Sequence, residues 1–502
     1  MTSSPFIAFL PELVVLAGAL LVFLVTLGDS RAQQARTVAL FTSFAAILAS
    51  LGCLGQHATL FSGAYRVDQF SQVFKLIFAC GFTLVLLLSG DLEDIRNDIK
   101  SEYFLLLTLS VAGLMMLVSC VELITLVVAL EVSSFPLYFL VAMRRERNGQ
   151  KSQMESAIKY IMFGVAANGV MFFGMSYLFG LTGTTALPEL LARLQPVIHS
   201  PMAIAGLAFT FCGLYYKLAV FPFHFWTPDV YQGASNETAG LVASLPKLGA
   251  IAVLIRLVSL ASPDNATIAI MLSILAIGSM FYGNLIALIQ KDFKRLLGFS
   301  GIAHAGYALV GFVALDLVGY AAALYYIVGY LLMVLACFVV ICRVSRDGTN
   351  VAIEELAGLH RRSPLLAVTL VVGVFGLAGI PPFVGFMGKL SLLTAALSKG
   401  YLYLVIIAMI NAAIAVYYYL SVVREACFRD PGERPPIRLD WATRVLCVLL
   451  IGGIVVLGVA PARFLGTISS ALASANLTSP NASLASAVEK NLPASAIDAI
   501  KK

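Results

Sequence analysis

Charged side chains are scarce in this sequence. Only 12% of its 502 residues are Asp, Glu, Lys or Arg, whereas 60% are hydrophobic. So few charges cannot cover the surface of a water-soluble protein of this length, which excludes a soluble globular enzyme. The apolar residues are gathered in runs of about 20, the length that a helix needs to cross a bilayer. The composition therefore predicts a polytopic membrane protein.

The residue patterns that bind redox cofactors and phosphates are also missing. The eight cysteines include no CxxC pair, so no iron–sulfur cluster is predicted. The five histidines are too scattered for a haem pair. No phosphate-binding GxxxxGK[ST] loop, dinucleotide fingerprint or nucleophile motif is present. We therefore expect no catalytic residue, metal site or cofactor in this chain, which would move charge while redox chemistry takes place in a partner.

The apolar runs predict an all-α fold of about fourteen transmembrane helices. The first run, 7–27, is long enough to span and is interpreted as a retained helix. Two runs, 202–235 and 363–398, are too long for one straight crossing and too short for two. Each contains helix-breaking residues, so each is interpreted as one broken helix. The predicted breaks lie at Pro222, Pro228, Pro381 and Pro382.

The two broken helices are the seventh and the twelfth, five spans apart. Because five is odd, two consecutive five-helix units would be inverted relative to each other, as is typical of membrane transport proteins. The Ala/Ser-rich residues after Arg463 are expected to be loosely ordered. The predicted divisions are an N-terminal three-helix segment over 1–100, a first five-helix repeat over 101–260, a second, inverted repeat over 261–428, and a last helix with the C-terminal tail over 429–502.

Lysine and arginine are unevenly shared between the two sides of the predicted membrane. Most of them, including Lys294, fall in loops on one side. Loops rich in these residues usually stay in the cytoplasm, so the crowded side is predicted to be cytoplasmic. With an even number of spans, both termini would then lie on the periplasmic side of a bacterial inner membrane.

Four ionisable side chains lie near the middle of predicted spans, where each costs about 2.5–3.5 kcal/mol. They are Glu131 in VVALEVSSFPLY, Lys217 in CGLYYKLAVFPFHFW, Lys247 in SLPKLGA and Lys389 in PPFVGFMGKLSLL. Burial disfavours an ammonium group and a nearby carboxylate favours it, so a lysine beside a movable acid can load and release a proton. The pattern predicts a proton relay, with Pro222 opening the backbone where water enters.

Three further groups are candidate supporting members of this relay, namely His224, His304 and Lys159. A histidine with its reference pKa of about 6.5 suits a proton shuttle, although a membrane histidine also serves simply to bond a neighbouring helix. Lys159 and Lys75 lie near span ends, where snorkelling or a local ion pair is the favoured explanation. A structural salt bridge between Glu131 and Lys217 is the alternative to a relay at that position.

These motifs resemble those of the antiporter-like membrane subunits of respiratory complex I, the proton-pumping NADH:quinone oxidoreductase. The resemblance covers nearly the whole chain and rests on ALEVSSFPLY, YYKLAVFPFHFWTPDVYQGA, SLPKLGA and QKDFKRLLGFSGIAHAGY. Within that family, LPELVVLAGALLVFLV and Lys389 are similar to the subunit N branch, the relatives of mitochondrial subunit 2. Mrp-type cation/proton antiporters and membrane-bound hydrogenases share the same motifs and stay open as alternatives.

The resemblance implies a translocase subunit with two inverted five-helix repeats and a mid-membrane proton path through Glu131, Lys217, Lys247 and Lys389. The supporting groups would lie beside that path. Flavin, iron–sulfur clusters, NADH and quinone would belong to other chains, with proton movement coupled to quinone reduction there. The expected neighbours are lipids, the small membrane subunits and a second antiporter-like subunit, with no nucleic acid. A scaffold whose buried charges only fix helix register is the remaining alternative.

Overall fold

The computed structural model describes residues 5–28, 31–147, 152–261 and 265–475, and these are helical almost throughout. Twelve of the described helices are long and apolar enough to cross a membrane, and three shorter apolar helices accompany them. The predicted all-α membrane fold is therefore confirmed. The sequence analysis did not foresee a small antiparallel hairpin, formed by β1 (Ala58–Leu60) and β2 (Tyr65–Val67).

The N-terminal segment packs as consecutive helices around that hairpin. Asp68 caps the fourth of these helices, since its side chain accepts from the backbone N–H of Ser71 at 2.7 Å. Such a cap satisfies one of the N–H groups that the first helical turn leaves without a partner. The four helices are α1 (Pro5–Ala8), α2 (Leu10–Thr26), α3 (Ala32–Gly52) and α4 (Gln69–Leu88).

The middle of the chain contains the first of the two segments that were expected to break. Its long helix of 31 residues turns apolar side chains such as Ile158, Met162 and Val165 outwards. The helices are α5 (Lys100–Leu117), α6 (Leu123–Ala142), α7 (Ser152–Thr182), α8 (Leu187–Leu194), α9 (Pro201–Thr210), α10 (Cys212–Leu218), α11 (Trp226–Gly233) and α12 (Asn236–Val258).

The last third of the described chain contains the second broken segment and the C-terminal helices. These helices are α13 (Ala266–Ala287), α14 (Phe293–Val313), α15 (Leu317–Val344), α16 (Leu359–Arg362), α17 (Pro364–Ala378), α18 (Val384–Ser398), α19 (Leu402–Phe428), α20 (Trp441–Val459) and α21 (Pro461–Ser474).

Helices α12 and α14 form the centre of the bundle, because every residue of their most apolar stretch is buried. By contrast, α3, α7, α13, α19 and α20 bury less than half of theirs. A helix that is apolar all round and buried all round belongs to a core, whereas an exposed apolar face at membrane depth must meet lipid or another subunit. Ionisable groups on α12 and α14 are therefore shielded from lipid.

The first break lies between α10 and α11. Ala219, which follows α10, adopts a left-handed conformation with φ of 65°. Its N–H donates to the Tyr216 carbonyl at 3.0 Å, and the N–H of Val220 donates to the Tyr215 carbonyl at 2.9 Å. These two bonds satisfy carbonyls that the helix end would otherwise leave without a partner. Pro222 lies in this break, as predicted.

The second break, between α17 and α18, repeats the same bonds. Gly379 is left-handed with φ of 85°. Its N–H donates to the Gly376 carbonyl at 3.0 Å, and the N–H of Ile380 donates to the Phe375 carbonyl at 3.0 Å. Both prolines expected there, at positions 381 and 382, lie between the two helices. The two breaks therefore share one backbone design, as a repeated fold requires, although the boundaries of the repeats stay a prediction.

Two expectations need correction. Pro228 is the third residue of α11 and does not lie in the break. A proline in the first turn lacks only an N–H that the helix could not use, so it helps to begin the helix. The stretch after Arg463 is helical as far as Ser474, because α21 buries Ile468 and Leu472 against the bundle. The rest of the predicted loose tail lies outside the described residues.

Candidate functional site

Glu131 and Lys217 lie close together but do not form the structural salt bridge considered above. Glu131, on α6, accepts a hydrogen bond from Asn168 of α7. The Lys217 amine instead bonds the Ser134 hydroxyl, which lies one helical turn beyond Glu131. The carboxylate still interacts electrostatically with this ammonium group. Lys217 is therefore buried beside a neutral partner with an acid nearby.

A small cavity adjoins Lys217 and leads towards the helix that carries Lys247. The centre of a water molecule can occupy about 10 Å³ of this cavity. Ser133, Pro246 and Ala250 line it together with leucine side chains. A single water needs about 10–15 Å³ on this measure, so the cavity has room for one. Because Pro246 immediately precedes Lys247, the space lies between the segments that bear the two lysines.

Lys247 projects from α12 onto the neighbouring helix α14. Its Nζ donates to the Gly301 carbonyl at 3.1 Å and lies 5.2 Å from the centre of the Tyr330 ring. A Cβ added at Gly301 would come within 3.0 Å of this Nζ. The missing side chain at position 301 is therefore what lets the amine reach the backbone carbonyl. A carbonyl and an aromatic face both stabilise a cation without carrying a net charge.

His304 lies one turn beyond Gly301 on α14 and has a hydroxyl partner at each ring nitrogen. Nδ1 is 2.5 Å from the Tyr326 hydroxyl, and Nε2 is 3.0 Å from the Tyr419 hydroxyl. Because a phenol both donates and accepts, either neutral tautomer of the ring can be satisfied. Lys247 and Lys389 both interact electrostatically with this ring. His304 is thus a buried neighbour of both lysines.

Lys389 folds back from α18 onto the end of α17. Its Nζ donates to the carbonyls of Leu377 and Ala378, each at 3.0 Å, and lies 4.8 Å from the centre of the Tyr307 ring. Those carbonyls are at the C-terminal end of the half-helix, where the backbone dipole favours a cation. The second break therefore provides the polar groups that surround this ammonium.

His224 is separated from these groups in the described conformation. The helix that carries Lys217 ends at Leu218, so the two side chains do not share a helix face. Neither ring nitrogen of His224 has a hydrogen-bond partner among the residues that the structure describes. The ring is packed among aromatic side chains, with centroids 5.4 Å from Phe221 and 4.2 Å from Tyr282. This environment offers the imidazole contact area and no hydrogen-bonded neighbour.

Lys159 belongs to a half-exposed ionic network. Its Nζ lies 2.7 Å from Glu155 and 2.7 Å from Asp229, and its side chain is 37% exposed. Asp229 also pairs with Arg295 at 2.8 Å. The local ion pair expected for Lys159 is therefore present. The network links α7, α11 and α14 near one end of the bundle. Among the described residues, no hydrogen bond connects it with the fully buried lysines.

Two buried ion pairs differ from the relay candidates because each joins opposite charges. Lys75 is fully buried and lies 2.6 Å from the fully buried Glu12, so it pairs inside the bundle and does not snorkel. Arg256 pairs with Asp68 at 3.0 Å. Hydropathy shows that Lys75 is in a span, but it does not show which way the side chain points. The acid in LPELVV was the available signal for its partner.

The sequence analysis missed a second buried ionisable side chain, because this residue lies at the beginning of a helix. Lys294 lies in the first turn of α14, where it was counted as a loop residue, yet it is fully buried. Its Nζ donates to the Ala234 carbonyl at 2.8 Å. Glu237, at the start of α12, is buried nearby and interacts with it electrostatically. Burial at a helix end depends on the loops folded over it, which hydropathy does not describe.

Within the described ranges, no group of three or more His, Cys, Asp or Glu side chains is placed to hold a metal ion.

Comparison with known proteins places this geometry in a family. Residues 120–415 match the family described as NADH:quinone oxidoreductase/Mrp antiporter, transmembrane. The chain is 63% identical over 475 residues to NADH-quinone oxidoreductase subunit N 2 of Opitutus terrae, covering 94% of this chain and 99% of the relative.

Two solved structures share the fold. A chain of respiratory complex I from Thermus thermophilus is 30% identical, with a TM-score of 0.77 over 91% of this chain and 98% of that one. A chain of the Mrp complex from Dietzia is 21% identical, with a TM-score of 0.83 over 95% of this chain and 98% of that one. The second likeness concerns the fold alone.

Proposed function

The chain belongs to the NADH:quinone oxidoreductase/Mrp antiporter family as a member of the subunit N type, and from that premise we propose that it carries protons across a bacterial inner membrane for an NADH:quinone oxidoreductase. The redox reaction takes place in other subunits. This chain holds protons on buried side chains and passes them along the middle of the membrane.

One observation carries the proposal. The amines of Lys217, Lys247 and Lys389 are buried, and within the described part of the chain each hydrogen-bonds only neutral groups, namely a serine hydroxyl or backbone carbonyls. A lysine in a fixed ion pair cannot give up its proton without leaving a buried anion uncompensated, which is strongly unfavourable. A lysine beside neutral dipoles leaves no such anion. These three amines can therefore exist both charged and neutral without a large rearrangement.

The contacts support an order for the relay. Glu131 influences Lys217 electrostatically, so a change in the carboxylate's charge alters the proton affinity of the amine. The one-water cavity offers a step from Lys217 towards Lys247. His304 then connects Lys247 with Lys389, because it interacts with both and carries hydroxyl partners on each nitrogen. His224 takes no part in this order in the described conformation, and Lys159 belongs to the half-exposed ionic network beside α11.

Neighbouring membrane subunits would control the electrostatic environment of the Glu131 carboxylate. Glu131 is partly exposed on α6, beside an exposed apolar stripe that includes Val128, Val132 and Phe135. Contact between a carboxylate and lipid at this depth is energetically unfavourable. A partner subunit therefore covers Glu131 and can change its electrostatic environment. From the lysine- and arginine-rich loops we infer that the membrane side which carries them is cytoplasmic and that both termini lie in the periplasm.

Replacement of the buried lysines by methionine tests the proposal. In membrane vesicles that contain the assembled complex, Lys217→Met and Lys247→Met should each reduce dye-reported proton pumping per quinone reduced by at least about tenfold, since one missing proton site interrupts the row. The matched control is Lys399→Met, because Lys399 is a partly exposed lysine paired with Asp316 at 3.2 Å. Normal pumping in both buried variants, with assembly intact, would contradict the relay and favour the scaffold.

The fold match to the Mrp complex makes a cation/proton antiporter component the second candidate. Sodium binds hard oxygen ligands, whereas the buried ionisable row here consists mainly of lysine. Vesicles that hold the chain without redox partners distinguish the two functions. A sodium-dependent pH gradient there, unaffected by quinone-site inhibitors, would favour the antiporter.

A further inference from the structure

Three arginines surround a cavity outside the proton row. Arg346, Arg362 and Arg434 line a space of about 210 Å³, together with Glu355. We call this space the arginine cavity. It lies where packed helices end on one side of the bundle, since α15 ends at Val344 and α17 begins two residues after Arg362. The same side carries most lysine and arginine residues, so it is the predicted cytoplasmic side.

The positive charges around the arginine cavity are not neutralised by the protein. Arg362 donates to the carbonyls of Glu355 at 2.9 Å and Pro435 at 3.3 Å, and Arg434 donates to the Pro431 carbonyl at 3.3 Å. Among the described residues, none of the three arginines forms an ion pair. These carbonyls hold two of the guanidinium groups in place without cancelling their charge.

The fourth charged group in the lining does not balance the three arginines. The Glu355 carboxylate accepts from the backbone N–H of Ala352 at 2.7 Å and is one charge against three. Burial lowers the pKa of Arg362, and the like charges of Arg434 and Arg346 lower it further. Three converging guanidinium groups therefore repel one another, and an anion in the cavity would relieve that repulsion.

The surrounding side chains indicate where the anion comes from. Phe428 at the end of α19 is 80% exposed, and Trp441 at the start of α20 is 78% exposed. Both flank the loop that contributes Arg434. Aromatic side chains exposed at the ends of membrane helices lie in the headgroup layer, which places the arginine cavity at the depth of lipid phosphates.

We propose that the arginine cavity binds a phosphate ester anion, and that the ester is the headgroup of an anionic membrane lipid. Guanidinium groups suit this ligand because their planar N–H pairs match phosphate oxygens. The bound lipid would join the ends of α15, α17 and the loop between α19 and α20. Nothing in the proton relay depends on it.

Crosslinking of a photoreactive phosphatidylglycerol tests the proposal in membrane vesicles that contain the full chain. Peptides covering 344–362 or 429–440 should carry the crosslink. Each lost arginine near a headgroup weakens binding about fivefold, so Arg346→Gln with Arg434→Gln should reduce crosslinking about 25-fold at limiting lipid. The matched control is Arg438→Gln, which alters the same loop outside the cavity lining. Arg362 is left intact because its bonds to the Glu355 and Pro435 carbonyls join two separate segments, whereas the bond of Arg434 stays within its own loop.

Two further measurements distinguish loss of binding from misfolding of the loop, and a lipid from free phosphate. Arg346→Lys with Arg434→Lys keeps the charge and should restore most of the crosslinking, which a misfolded loop would not do. Inorganic phosphate at millimolar concentration should compete weakly. Equal crosslinking in the Gln variant and the Arg438→Gln control would overturn the proposal. Complete displacement by inorganic phosphate would overturn the lipid as the source of the anion.

Discussion

The Glu12–Lys75 pair provides the clearest test of whether buried charges here are fixed or exchangeable. Its Nζ and Oε1 atoms are 2.6 Å apart, and both side chains are 0% exposed. The Tyr65 hydroxyl also bonds the Glu12 carboxylate. Lys75→Met removes the ammonium and leaves a carboxylate buried between α2 and α4 with only a neutral hydroxyl beside it.

The expected loss of stability is large. Breaking a buried ion pair from one side costs about 3–5 kcal/mol, because the remaining charge is desolvated and uncompensated. That corresponds to two to four orders of magnitude in the folding equilibrium, roughly, and is a large share of the ~5–15 kcal/mol that typically stabilises a folded domain. Glu12→Gln alone should cost a similar amount, since it leaves the ammonium behind.

The double variant, Glu12→Gln with Lys75→Met, separates the pair from its surroundings. With both charges removed, most of the lost stability should return, because a buried ion pair is about as stable as apolar packing of similar volume. Unfolding in mixed micelles titrated with a denaturing detergent measures all four chains. Complexes that do assemble should pump protons normally. Additive losses in the double variant, or a pumping defect in it, would refute this reasoning.

Two other predictions concern positions outside that pair. Gly301→Ala would place a Cβ within 3.0 Å of Lys247 Nζ and 2.9 Å of the Tyr330 hydroxyl. Proton pumping in vesicles should therefore fall several-fold, while quinone reduction in the absence of a proton gradient is retained. Unchanged pumping would show that the contact between Lys247 and the Gly301 carbonyl is dispensable. Burial raises the pKa of the Asp68 carboxyl, but the charge of Arg256 and the hydrogen bonds from Arg256 and Ser71 together hold it below its usual value. The stability that these contacts give is therefore present above about pH 4 and is lost on further acidification. In mixed-micelle unfolding, Asp68→Asn should therefore lower stability at pH 7 and flatten its acid dependence, and parallel pH curves would argue against it.

Depth in the membrane could be predicted from the sequence, whereas side-chain direction could not. Hydropathy located Lys217, Lys247 and Lys389 within apolar runs, and all three are buried. It also located Lys75, but the partner of that lysine lies 63 positions earlier on another helix. A hydropathy profile averages over the turns of a helix and so contains no information about which neighbour a given face meets.

Helix ends show the same limit. Lys294 follows a charged stretch and was therefore counted in a loop, yet it is buried with its amine on the Ala234 carbonyl. Pro228 was expected to break a helix and instead lies in the first turn of one. Both outcomes depend on where the first turn begins relative to the loops packed over it. That is a tertiary property which local residue patterns indicate only to within a few residues.

The two helix breaks explain how this chain tolerates buried lysines without fixed counter-ions. Lys217 lies in the last turn of α10, while its amine bonds Ser134 of α6. The Lys389 amine bonds the last carbonyls of α17, so this ammonium lies at the C-terminal end of a half-helix. A cation gains about 0.3–2 kcal/mol from the helix dipole there, which offsets part of its desolvation cost. A carboxylate would stabilise the charge more strongly but would also fix it. Neutral backbone dipoles stabilise the charged form of the lysine and leave its uncharged form accessible. A proton relay requires both forms.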